Sequence, residues 1–92
     1  MRRIYKYTLV LTAAQRLTLP ADSKILSVET QEDNVVLYAM VDTAQKGLTE
    51  YMVEIVGTGN CLWDLNQDDF VGTVKLQDGR FMFHVFIRRA IR

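Results

Sequence analysis

Parts of this 92-residue sequence carry residue types that could do chemistry. One is Gly57-Thr58-Gly59-Asn60, which directly follows an apolar run. Two glycines flanking a threonine can let successive N–H groups converge on an anion, so these four residues form a candidate anion loop. A dinucleotide fingerprint needs G-x-G-x-x-G, and the third glycine position holds Leu62. A phosphate loop would end in G-K-[ST], and that ending is missing as well. A loop that uses glycine for its positive φ is the plainer reading, and it is favoured.

His84 is the only histidine. It sits in Phe-Met-Phe-His-Val-Phe-Ile (81–87), on the face shared by Met82 and Phe86. Imidazole titrates near neutrality and could act as a general acid or base. A phosphodiesterase using it would have that residue alone behind it, with no second histidine for a metal site. The expectation is a hydrogen-bonded histidine in a core or subunit contact. Asp64, Asp68 and Asp69 lack the glycine and terminal glutamate of a calcium loop and read as a solvated face. Cys61, beside Leu62 and Trp63, has no neighbouring base to activate a thiolate and reads as a small, inert apolar residue. No catalytic residue, metal or cofactor is expected, and the chain is read as non-catalytic.

The basic residues exceed this plain picture. Arg2, Arg3, Lys6, Arg88, Arg89 and Arg92 are six of the eleven, and they lie at the two chain ends, where no acid stands. Eleven acids cancel the charge overall, so the chain lacks the excess that a nucleic-acid binder uses to release counterions, and sequence-specific nucleic-acid binding is not expected. A local patch is another matter. Guanidinium groups suit phosphate, and tyrosines can lie against a base. The expected ligand site is Arg2, Arg3, Tyr5, Lys6, Tyr7, His84, Arg88 and Arg89, on the condition that the first and last strands are neighbours.

The elements that must position these groups are strands. Short segments rich in β-branched and aromatic residues, each closed by polar or glycine punctuation, predict an all-β single domain over 1–92. About seven mainly antiparallel strands are expected, at 3–11, 16–19, 24–30, 35–42, 48–56, 70–77 and 80–88, in a small β-sandwich or barrel-like domain. Tyr5, Tyr7, Leu9 and Leu11 share a face that should point inward. Residues 24–42 look like a hairpin around 31–34, and its second arm, apolar on both faces, must be central or lie at a subunit contact. Asp78-Gly79 should close a C-terminal hairpin by a type I′ turn. Gly72 marks a bulge or a close approach, and Asn60 is a candidate N-cap for one helical turn within 60–67.

A single cysteine excludes an intramolecular disulfide, and no charged and apolar leader opens the chain. The longest apolar runs fall far short of the roughly 20 residues a membrane helix needs. The expected setting is the cytosol with no membrane partner, and the apolar content of so small a domain predicts a homo-oligomer.

The combination IYKY (4–7), LP (19–20), KILSVETQ (24–31), LYAMVD (37–42), VGTGN (56–60), VGTV (71–74) and HVF (84–86) resembles a family of small phage and prophage proteins defined only as a domain of unknown function. The resemblance covers nearly the whole chain and implies a shared fold and a phage gene acting in the host cytosol. By analogy with small β-rich phage proteins, it implies an anti-defence sponge that sequesters a phosphorylated nucleotide immune signal. The alternative is a protein-interaction module, an inhibitor of a host protein or an assembly adaptor, with no small-molecule ligand.

Overall fold

The computed structural model describes residues 1–62 and 64–90; Trp63 and Arg92, named above, lie outside them. Seven strands form: β1 (Arg2–Thr8), β2 (Ala14–Pro20), β3 (Lys24–Gln31), β4 (Asn34–Asp42), β5 (Leu48–Gly57), β6 (Phe70–Leu76) and β7 (Phe81–Arg89). They build two antiparallel sheets, β1-β4-β3 and β2-β5-β7-β6. The core draws on both, with Val28, Leu37 and Val41 from the first sheet against Leu19, Val53 and Val85 from the second. The fold is therefore a sandwich, and the sheets stay separate rather than closing as one barrel.

Period-two alternation explains the burial of β4. Val35, Leu37, Ala39 and Val41 face the core and are all but inaccessible, while Tyr38 and Met40 on the outer face are half-buried. The strand is central in its sheet, flanked by β1 and β3. Val36 breaks the alternation: it is buried on the outer face, in register with Thr8 and Glu29.

The tyrosine face of β1 does look inward, but only partly out of water. Tyr7 packs on the core and Leu9 is buried, whereas Tyr5 keeps 42% of its exposure because β1 is an edge strand. Leu11 departs from the expectation. The strand ends at Thr8, and Leu11 lies exposed in the segment that carries the chain to β2 in the other sheet. Leu9 N–H still donates to Val35 O, and Ile55 N–H donates to Ala13 O, so the crossing is anchored at both ends.

The far side of the sandwich is sewn shut. Val71 is bulged where β6 shifts register against β7, and at Gly72 the chain passes so close to β3 that an added Cβ would stand 2.9 Å from Val28 Cγ2. Thr30 Oγ1 donates to Lys75 O at 2.6 Å, and Gln77 N–H donates to Asp33 Oδ1 at 2.7 Å. The last bond joins the turns of the two hairpins. One turn is Gln77-Asp78-Gly79-Arg80, with φ of 56° at Asp78 and 87° at Gly79, closed by Arg80 N–H to Gln77 O. The other is Glu32-Asp33, with φ of 50° and 62° and no glycine. Left-handed backbone at such residues costs roughly 1 kcal/mol each. Glu32→Gly is expected to raise stability by about 0.5–1 kcal/mol, and Asp33→Ala, which also strips the bond to Gln77, to lower it by about 1 kcal/mol; urea titration followed by circular dichroism compares the two.

The expected helical turn within 60–67 is displaced. A short 3-10 turn forms at Gln67–Asp69, and its cap is Asn66, whose side chain accepts the Asp68 N–H. Asn60 instead ends a tight turn, donating its N–H to Gly57 O. Asn66, with Asp68 and Asp69 in the turn that follows it, carries the better capping signal, because carboxylates favour the first turn.

Candidate functional site

Adjacent residues of a strand point to opposite faces, and this sorts the chain-end cations before any contact is considered. The first and last strands do not pair; β1 belongs to one sheet and β7 to the other. Arg2 and Lys6 lie on the outer face of the first sheet, in register with Asp42 and Tyr38, and Arg3 lies on its inner face opposite Val41. Arg88 lies on the outer face of the second sheet, where Nε donates to Glu54 Oε1 at 3.4 Å. Lys6 Nζ reaches across β4 and donates to Gln31 Oε1 at 2.6 Å. The structure therefore divides the expected site residues between several surfaces.

Two of the cations do meet. Arg2 at the start of β1 and Arg89 at the end of β7 line a cleft of about 400 Å³ at one end of the sandwich. Lys24, at the start of β3, joins them, as do Asp22, Asp42 and Gln45. Topology accounts for the meeting, because these strands begin or end at the same pole. The carboxylates are already occupied. Asp42 Oδ1 accepts the Ala44 N–H at 3.0 Å and the terminal ammonium at 3.2 Å, and these bonds, the Ala44 one foremost, hold its carboxyl below the usual range. Asp22 Oδ2 accepts from Gln45 Nε2 at 3.0 Å. Ser23, buried beside them, donates its hydroxyl to Pro20 O. Three cations then line the cleft with two carboxylates, of which Asp22 is held by Gln45 and Asp42 by Ala44, the terminal ammonium and the charge of Arg2; the cations outnumber the acids, an arrangement suited to an added anion.

Lys24 does not stand out in the sequence. Nothing local distinguishes it, since only the order β1-β4-β3 carries its strand start to the pole where β1 begins. Tyr5 and Tyr7 follow Arg3 along the inner face of β1, and burial, with Tyr5 alongside, pushes the Tyr7 phenol up.

His84 and the glycine loop come together elsewhere, on the outer face of the second sheet. Thr58 Oγ1 lies 2.7 Å from Nε2 of His84, and Thr73 Oγ1 lies 2.9 Å from Nδ1. Both ring nitrogens are thus engaged by hydroxyls, which can donate or accept as the tautomer requires. Val56, Thr58, Leu62, His84 and Phe86 border a hollow of about 180 Å³. The candidate anion loop commits its N–H groups internally: Thr58 donates to Met82 O and Asn60 to Gly57 O. Gly59, at φ 89°, supplies the left-handed residue of that turn, and a side chain at Gly57 would press on Asn60 Nδ2 at 3.0 Å. Gly59 thus has a conformational duty and Gly57 a steric one, and two of the N–H groups needed for an anion nest are taken.

Cys61 is exposed rather than packed, contrary to its apolar reading. Among the described residues, no group of histidine, cysteine, aspartate and glutamate is arranged to hold a metal ion, and no helix is long and apolar enough to cross a membrane.

A family model described as a domain of unknown function (DUF7352) matches residues 1–91. No curated protein and no solved structure matches the chain.

Proposed function

The chain belongs to the DUF7352 family of domains of unknown function, and from that premise we propose that it is a non-catalytic protein that binds a phosphorylated, nucleotide-like small molecule at the pole of the sandwich. The observation that carries this reading is the cleft in which Arg2, Lys24 and Arg89 converge from three strands. Its volume lies within the range of small-molecule sites, roughly 300–1,000 Å³. Arg2 and Arg89 give bidentate donors for phosphate oxygens, and Lys24 adds a point charge. Arg3 and Tyr5 point to the other face of β1 and do not line the cleft. Read with the resemblance to phage proteins, the cleft belongs to an anti-defence sponge in the host cytosol, holding a phosphorylated nucleotide immune signal in an oligomer.

Calorimetric titration with a panel of linear and cyclic nucleotides tests this. Arg2→Ala combined with Arg89→Ala is expected to weaken binding by roughly 100-fold, about tenfold for each charged hydrogen-bonding group lost. Arg88→Ala, on another face, should leave affinity within about twofold. Equal losses from Arg88→Ala and Arg89→Ala, or no binding across the panel, would overturn the reading.

One observation favours a second reading, a protein-interaction module. Phe70, Met82 and Leu62 stand exposed on the outer side of the second sheet, and Phe70 stacks edge-on against Phe86 with centroids 5.5 Å apart. Exposed apolar side chains gathered on one sheet face commonly serve contact with another protein. A stoichiometric host partner recovered by the wild type and lost with Phe70→Ser would favour it over the ligand reading.

A further inference from the structure

Strand β1 is an edge, and its hydrogen-bonding groups can be assigned one by one. Thr43 N–H donates to Met1 O, and Leu9 N–H donates to Val35 O, at the two ends of an uninterrupted antiparallel register. Antiparallel pairing alternates bonded and non-bonded positions, so the odd residues of β1 bond β4. Arg2, Ile4, Lys6 and Thr8 therefore turn their N–H and C=O groups away from the sheet. Among the described residues no strand lies beyond them. Every residue of β1 except Tyr7 is exposed, including Ile4 at 62%.

Edges of this kind are usually blunted by proline, by a bulge or by a charge held over them. β2 ends in Pro20, and the edges of β3 and β6 lie together at the sewn side. β1 has no proline and no register shift, and the bond to Gln31 draws the Lys6 ammonium across the outer face, away from the edge.

We infer that a second copy of this chain pairs on this edge, β1 antiparallel to β1, about a two-fold axis through Tyr5. The inference deepens the oligomeric part of the function proposed above by naming its surface and register. Only even residues face outward, so the axis must relate even positions to even ones. With the axis at Tyr5, Arg2 meets Thr8, Arg3 meets Tyr7 and Ile4 meets Lys6 of the second copy. All of β1 is engaged, and no cation opposes a cation. Moving the axis one residue to Ile4 sets Arg2 against Lys6, and moving it to Lys6 sets that lysine against itself. Like charges directly opposed are unfavourable, so charge together with engagement of the whole strand Arg2–Thr8 selects the Tyr5 register. Arg3 over Tyr7 adds a cation–π contact, and Ile4 and Tyr5 lose exposed apolar surface. The product is one continuous sheet in the order β3-β4-β1 and then the second copy's β1-β4-β3, an isologous contact as two-fold symmetry requires.

Sedimentation equilibrium of the full chain, with and without salt, tests the inference. The wild type is expected as a dimer. Ile4→Lys, which places a cation opposite Lys6 twice by symmetry, should raise the dissociation constant roughly tenfold, whereas Ile4→Glu at the same position should lower it at low salt. Lys6→Pro removes an outward N–H without touching a bond to β4 and should give a folded monomer, its fold checked by circular dichroism. In a Cys61→Ser background, Tyr5→Cys should form a disulfide-linked dimer, since an on-axis non-bonded pair brings the Cα atoms to about 4.5 Å. A wild type that stays monomeric at high concentration would overturn the inference, as would a dimer weakened equally by Ile4→Lys and Ile4→Glu. The cleft of Arg2, Lys24 and Arg89 is complete within one chain, so a monomer that still binds nucleotide would sink the dimer and leave the ligand reading standing.

Discussion

Leu37→Ala is expected to lower the unfolding free energy by about 3–4 kcal/mol, within the range for truncating a buried leucine. Leu37 has no exposed surface and sits at the centre of β4, in register with Tyr7 on one side and Val28 on the other. Ladders on both flanks hold the backbone in place, so the surroundings have little freedom to close over the space vacated. A domain of this size has only about 5–15 kcal/mol in total, and small domains lie toward the lower end. The variant should therefore melt more than 10 °C below the wild type, at roughly 4–8 °C per kcal/mol. Tyr38→Ala, one residue along on the half-buried outer face, serves as the comparison and should cost much less. Urea unfolding of both decides the matter; a loss under about 1 kcal/mol for Leu37→Ala would mean that the sheets collapse into the gap.

Gly72→Val tests the seam between the sheets from the opposite direction, by adding volume instead of removing it. A Cβ at Gly72 would already lie 2.9 Å from Val28 Cγ2, and Val28 is buried and stiff about χ1. Neither side chain can yield without moving a strand, so a loss of about 2–3 kcal/mol is expected. The sharper result is the pair. Val28→Ala alone leaves a small cavity and should cost about 1–2 kcal/mol, yet combined with Gly72→Val it makes room for the new methyl groups. The double variant should be more stable than Gly72→Val alone, a coupling of at least about 1 kcal/mol. Additive losses in thermal unfolding would place the strain of Gly72→Val somewhere other than this contact.

Much of the fold is legible in the sequence because the strands carry their burial in alternation. Val35, Leu37, Ala39 and Val41 announce a core face, whereas the positive φ of Gln77, directly before Asp78-Gly79, has no such signal. The burial of Val36 is not legible, since it depends on Thr8 and Glu29 arriving from other strands. Nor is the exposure of Leu11, which turns on where β1 ends and the chain crosses to the second sheet. The candidate site divides the same way. That Arg88 and Arg89 face opposite directions follows from period two alone, so a single patch holding both is incompatible with a strand. That Arg89 meets Arg2 and Lys24 has no such local signal, because it depends on which strand ends share a pole. His84 shows a further limit, as its two threonine partners come from the β5 end and from β6, 26 and 11 residues away.

The linked turns of the two hairpins also bear on how the chain finds its structure. Gln31 pairs with Asn34 and Leu76 with Phe81, so these ladders can start from loops of a few residues. Thr8 must instead find Val36, and Ala14 must find Glu54, across long stretches of chain. Closing a loop loses entropy that grows with its length, and that loss comes before the distant contacts can offset it. The hairpins β3-β4 and β6-β7 are therefore the elements that can form early, and the Asp33–Gln77 bond joins them at their tips. The edge strands β1 and β2 join only across such long loops, so a chain that holds no more than the two linked hairpins leaves open the side that carries the Tyr5 edge.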